Sequence, residues 1–174
     1  MGVRRKSREA ALQLLYQAEF EDSAPRPALA RFWASRKEDK PVREYADELV
    51  LGILEHRDEL DKLIQSVSKN WRVSRMSIID RNILRLAAYE MRYVPGLAPA
   101  VVINEAIEIA KRYSGQESSV FVNGILDAIR QGIEGAVSSA GEKAAPSKGK
   151  KKDQGPEPET ARPPVRGRRR TKSE

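Results

Sequence analysis

From residue 1 to about residue 134 apolar side chains return every three or four positions, and no alternating stretch of useful length interrupts them. That periodicity restricts the chain to helix packed on helix, so the expected fold class is all-α. It predicts helices near 5–20, 26–36, 41–55, 58–69, 77–94, 99–113 and 119–132. The breaks coincide with Pro25 and Pro27, Pro41, the Trp71 region, Pro95-Gly96 and Ser114-Gly115, residues that interrupt regular structure. Ser77 is placed to cap a helix, with Asp80 three residues on, and Pro99 suits a first helical turn.

Spacing residues at about 100° shows which faces are apolar. Along 99–113, Val102, Ile103, Ala106, Ile107, Ile109, Ala110 and Tyr113 share one arc, while Asn104, Glu105, Glu108, Lys111 and Arg112 share the other. This helix is expected to keep one face in water, with Glu108 and Arg112 spaced for an i,i+4 pair. Along 77–94, Ile79, Ile83, Leu84, Leu86, Ala87 and Met91 cover nearly half the circumference, with Glu90 inside their arc. Such a helix belongs at the centre of the fold. A carboxylate on its buried side needs a cation or several donors, or must stay protonated, so Glu90 reads as a paired buttress between helices. Arg81, Arg85 and Arg92 align on the opposite face as a solvated edge, and Trp71 reads as an anchor under the central helix.

The net charge of +7 is unevenly spread: residues 135–174 hold 11 Lys and Arg against 5 Asp and Glu. A globular part so close to neutrality needs a local basic patch to hold nucleic acid, since bulk charge does not suffice. The chain therefore divides into a helical domain over 1–134 and a basic tail over 135–174. The tail, rich in Ala, Ser, Gly, Pro and Lys, is expected to be disordered because it cannot bury enough apolar surface to offset its ordering entropy.

Catalytic chemistry finds no footing in this sequence. There is no cysteine and one histidine, His56, which lies in the charged stretch LEHRDELDKL without a nucleophile pattern. No zinc site, dinucleotide fingerprint or P-loop is present, so no cofactor and no metal are expected. Glu105 and Glu108 lie on a polar helix face, where solvation accounts for both. No apolar run approaches the length of a membrane span or follows the basic start as a signal peptide would, so a cytoplasmic protein is expected.

Two stretches point to nucleic acid. Arg4, Arg5, Lys6 and Arg8 crowd the N-terminal end of an amphipathic helix, where the macrodipole disfavours cations by about 0.3–1 kcal/mol each. Their placement opposes helix stability and suits an RNA backbone. In YSGQESSVFVNG (113–124), Phe121 falls at the edge of an apolar arc and can either join the core or stack on an unpaired base; Tyr113 shares the ambiguity.

RRKSREAALQLLYQ at 4–17, IIDRNILRLAAYEM at 78–91, VVINEAIEIAKRY at 101–113 and SSVFVNGILDAI at 118–129, in this order and spacing, resemble the NusB family. The resemblance implies a seven-helix fold of two packed three-helix subdomains plus an additional helix. It implies a transcription antitermination factor, not an enzyme, that binds boxA RNA together with NusE, the ribosomal small-subunit protein, in the antitermination complex on RNA polymerase, supporting ribosomal RNA transcription. It also implies RNA contacts at Arg4, Arg5, Lys6, Arg8, Tyr16, Tyr113, Glu117, Ser118 and Phe121, and a NusE contact at Asp80. Val120 stands where some relatives carry a basic residue, which removes one phosphate contact. The resemblance is compatible with a monomer and with a homodimer. A NusB-like domain also accompanies ribosomal-RNA cytosine methyltransferases, and a non-catalytic accessory domain of that kind is the alternative; a third reading is an adaptor that meets proteins only.

Overall fold

Pro25, Pro41 and Pro99 stand in the first turns of three helices, where a missing amide hydrogen costs nothing. The computed structural model describes residues 2–143, with side-chain surroundings for residues 2–135. Seven α-helices follow one another: α1 (Val3–Ala18), α2 (Pro25–Ala34), α3 (Lys40–Glu55), α4 (Arg57–Val67), α5 (Ile78–Tyr93), α6 (Pro99–Tyr113) and α7 (Gln116–Lys143), with a 3-10 turn at Val73–Arg75. No strand occurs among the described residues. The Ser77 hydroxyl accepts from the Asp80 amide at 3.0 Å, the cap expected for α5. Gly96 (φ 78°) and Gly115 (φ 108°) turn the chain after α5 and α6 through backbone angles that a side chain disfavours.

The helix ends agree with the periodicity to within three residues, apart from the end of α7. That helix continues past Gly132 and Gly135 to Lys143. Extending a formed helix fixes one residue per added hydrogen bond, so it needs no apolar periodicity of its own. The remainder of the basic tail, from residue 144, lies outside the described residues.

Helix α5 is central, packing on α1, α3, α4, α6 and α7, and every side chain from Asn82 to Ala88 is buried. Helices α1, α2 and α3 pack on one another, as do α5, α6 and α7. The α3–α5 crossing is tight at Gly52, where a Cβ would overlap the ring of Tyr89.

Charge inside this core is paired. Glu90 is fully buried; both its oxygens accept from Arg8 Nε, at 3.0 and 2.8 Å, and one also accepts from the Tyr45 hydroxyl. Burial, then the hydrogen bond to Glu90, pushes the Tyr45 hydroxyl pKa above its ordinary value. The expected buttress at Glu90 is present, and it ties α1, α3 and α5 together. A second knot gathers on Glu19, just after α1, which accepts from Arg85 (2.7 Å), Arg81 (3.0 Å) and Arg57 (3.3 Å). Arg85 also forks onto Asp61 at 2.7 and 2.8 Å. The Arg81, Arg85 and Arg92 row is therefore not an open solvated edge: Arg85 is 4% exposed, Arg81 is drawn to Glu19, and Arg92 pairs with Glu59 at 2.8 Å.

Candidate nucleic-acid interface

The four cations at the start of α1 have four different fates. Arg4 is exposed, with its guanidinium 4.9 Å from the centre of the Tyr45 ring. Arg5 forks onto Glu105, Nη2 to Oε1 at 2.6 Å and Nε to Oε2 at 2.7 Å, and remains 37% exposed. That hydrogen bond, against partial burial and aided by the charges of Arg5 and Arg8, holds the Glu105 carboxyl below its ordinary 4.5. Lys6 is exposed, 3.9 Å from Glu38. Arg8, also expected among the RNA contacts, is buried on Glu90 rather than exposed beside Arg4 and Lys6. To meet a phosphate it would have to abandon a buried carboxylate, a loss of several kcal/mol.

A seam of polar pairs joins α1 to α6. Beyond Arg5–Glu105, Glu9 accepts from Arg112 (2.9 and 3.0 Å) and from the Tyr113 hydroxyl (3.1 Å). Burial and the Glu9 charge push the Tyr113 hydroxyl pKa up. Glu9 thus takes the arginine expected to pair with Glu108, and Glu108 bonds Lys111 at 2.8 Å instead. Arg5, Lys111 and Arg112 wall a cleft of about 290 Å³ in this seam, together with Glu9 and Glu108. Sequence reasoning left Lys111 and Arg112 on a solvated face; only the packing of α6 beside the start of α1 shows that they border Arg5.

Tyr16 lies 12 residues beyond Arg4, about 18 Å along the helix. It is exposed, its ring centre 5.2 Å from that of Phe20. With Leu12, Ile79 and Tyr113 it lines an apolar cleft of about 290 Å³. Tyr16 and Tyr113, predicted from separate motifs, therefore share one site.

A further cleft, of about 240 Å³, opens where α7 begins, and it brings together Asp80, Glu117, Ser118 and Phe121. The Ser118 hydroxyl donates to Asp80 Oδ2 at 3.2 Å. Phe121 is half-buried: it packs against the core and keeps part of its surface open. Its neighbour is Trp71, with ring centres 6.2 Å apart at 71°. Trp71 is 59% exposed, contrary to its expected role as a core anchor. Val73 and Met76, each 7% exposed, fill the core positions beside it. The signal was available in its neighbours Lys69, Asn70 and Arg72, which mark a polar break between helices. Val120, at 68% exposure, sits on the surface as an uncharged residue.

Among the described residues no group of three or more His, Asp or Glu is placed to hold a metal ion, and no helix is long and apolar enough to cross a membrane. Seven helices around a centre in which Glu90 and Arg85 are paired, with a cationic helix start and two aromatic-walled clefts, define the class as an all-helical protein. The chain belongs to the NusB family, whose model matches residues 5–131. The transcription antitermination protein NusB of Myxococcus xanthus is 48% identical over 133 residues, covering 74% of this chain and 95% of that protein. Among solved structures, NusB of T. maritima superposes with a TM-score of 0.68 at 40% identity, over 74% of this chain and 90% of that one. A crystal structure of antitermination factors NusB and NusE in complex with dsRNA also gives 0.68, at 27% identity, over 76% and 98%.

Proposed function

We propose that this chain is a cytoplasmic transcription antitermination factor that binds boxA RNA together with NusE, within the antitermination complex on RNA polymerase, and so supports ribosomal RNA transcription. The observation that carries this reading is the cationic start of α1, where Arg4, Arg5 and Lys6 reach the surface beside the Arg112 seam. Surface cations of this kind neutralise a phosphate backbone without reading its sequence. Tyr16 and Tyr113 supply rings in one cleft, and Glu117, Ser118 and Phe121 line another with Asp80, the proposed NusE contact. The solved NusB, NusE and dsRNA assembly supports the pairing of both partners on this fold. Similarity to the Myxococcus protein, a transcription antitermination factor, supports this reading over a methyltransferase accessory domain.

Binding of boxA RNA measured with and without NusE, across a salt series, tests the reading. A log-log slope that grows shallower by about 0.7 for each of Arg4, Arg5 and Lys6 removed is the expected result. A slope unmoved by the triple alanine variant overturns the RNA surface, and a salt-insensitive parent favours the protein-only adaptor.

A further inference from the structure

Beside the Glu19 knot lies a cleft of about 470 Å³, larger than the three described above, walled by α4, the 3-10 turn and α5. Four cations line it, Arg57, Lys62, Arg81 and Arg85, against one carboxylate, Asp61. Glu19 pairs with the three arginines, so the four cations and two carboxylates leave an excess of two positive charges. Lys62 is exposed and meets no carboxylate among the described residues. Arg81 is unsatisfied in another way: its Nη2 donates to Glu19 at 3.0 Å, but its Nε is buried with no acceptor. A buried donor in that state costs free energy that an entering anion recovers. Guanidinium groups fork onto carboxylates and phosphates alike, so charge and size decide between them. Two excess charges match two successive phosphodiesters, and the volume suits a nucleotide better than a single small anion. The cleft also lies within reach of a strand held elsewhere on the chain. Glu19 follows the end of α1 opposite Arg4, about 22 Å away along the helix.

We propose that this cleft is a second seat for the RNA backbone, holding phosphates of sequence that flanks boxA while the start of α1 meets boxA itself. The proposal deepens the RNA half of the proposed function and rests on it. It gives Lys62 a phosphate to neutralise and Arg81 Nε an acceptor. It also gives the Glu19 knot a second use, since the carboxylate that ties the arginines to the core fixes them beside Lys62.

The test measures the affinity of the full chain, across a salt series, for boxA RNA and for boxA RNA extended by flanking sequence at each end in turn. NusE affinity is measured beside them, in the parent, Lys62→Ala and Ser74→Asp. Lys62→Ala removes the unpaired cation, and Ser74→Asp sets a carboxylate in the cleft wall. Both side chains are exposed, and melting curves confirm that both variants fold. The parent is expected to bind one of the extended RNAs with a steeper salt slope than boxA alone. Lys62→Ala should make that slope shallower by about 0.7, and Ser74→Asp should weaken the extended RNA roughly threefold, with boxA alone unchanged in both. The Arg81 Nε–H resonance is expected to move when the extended RNA is added and to stay in place with boxA alone. If the variants weaken boxA alone just as much, the cleft lies on the boxA path and the proposal is overturned. If they weaken NusE binding and leave RNA untouched, the cleft meets a protein carboxylate and the proposal is overturned. If inorganic phosphate moves the Arg81 resonance while flanking sequence adds no affinity, the cleft takes free phosphate only, and the proposal is overturned while the function stands. A parent that binds neither NusE nor RNA overturns the functional reading itself.

Discussion

Replacing Arg8 by alanine removes the cation that meets Glu90 in the core, and the consequence follows from burial. The two side chains are 3% and 0% exposed, with Arg8 Nε 2.8 Å from Glu90 Oε2. Breaking such a pair strands a charge in low dielectric, at a cost of about 3–5 kcal/mol. The Tyr45 hydroxyl still donates to Glu90 in the variant, which places the expectation at the lower end, about 3 kcal/mol. For a domain of this size each kcal/mol moves the midpoint by roughly 2–4 °C, so Arg8→Ala should melt about 10 °C below the parent. Thermal and urea unfolding measure this directly, and the Arg8→Met/Glu90→Gln double variant, which strands no charge, should recover part of the loss. RNA affinity at a temperature where the variant is folded should be unchanged. A variant that melts like the parent but binds RNA more weakly, with a shallower salt slope, refutes the reasoning and returns Arg8 to the surface.

Glu105→Gln should tighten RNA binding at low salt and steepen the salt slope by up to about 0.7, because Arg5 is no longer held by a competing carboxylate; weaker binding would mean that the pair orients Arg5 for RNA. Burial raises the pKa of the Glu19 carboxyl, but the Arg85 hydrogen bond and the charges of Arg81 and Arg57 outweigh it, leaving the pKa below 4.5. Its stabilisation is therefore present above that value and lost as pH falls through the lowered one, so Glu19→Gln should destabilise by about 3 kcal/mol at neutral pH and by progressively less in acid, as read by melting against pH. Gly52→Ala should cost about 1–3 kcal/mol in denaturation, since its methyl meets the Tyr89 ring. Deleting residues 144–174 should leave the melting temperature unchanged, and a drop of many degrees would place part of that tail on the core.

The helices were legible because a 3.6-residue period survives any arrangement of the bundle, and Glu90 stood out as a charge inside an apolar arc. Arg8 is equally legible. It stands at i, i+3, i+4 and i+7 with Ala11, Leu12 and Leu15, all buried, so the wheel that exposed the anion would have located its cation. Composition obscured it: four basic residues in five positions read as one patch, although a helix turns successive side chains about 100° apart. The Trp71, Asp80 and Phe121 cleft was illegible for another reason. It depends on where the loop after α4 lies against the first turns of α7, and no periodicity within one helix carries that information.

The same distinction separates the arginines that hold the fold from those available to a partner. Arg85 and Arg8 lie inside helices with an apolar face around them, and each is matched by a carboxylate from another helix or the end of one: Asp61 and Glu19 for Arg85, Glu90 for Arg8. Arg4 and Lys6 sit in the first turn of α1, where the helix dipole opposes them, and among the described residues they meet a phenol and a carboxylate 3.9 Å away. Arg5 is intermediate, forked onto Glu105 yet more than a third exposed. Phosphate affinity should therefore grade along α1 in the order of pairing strength rather than of charge count. Single alanine variants would then change the salt slope at Arg4 and Lys6, change it less at Arg5 because Glu105 already screens that charge, and leave it unaltered at Arg8.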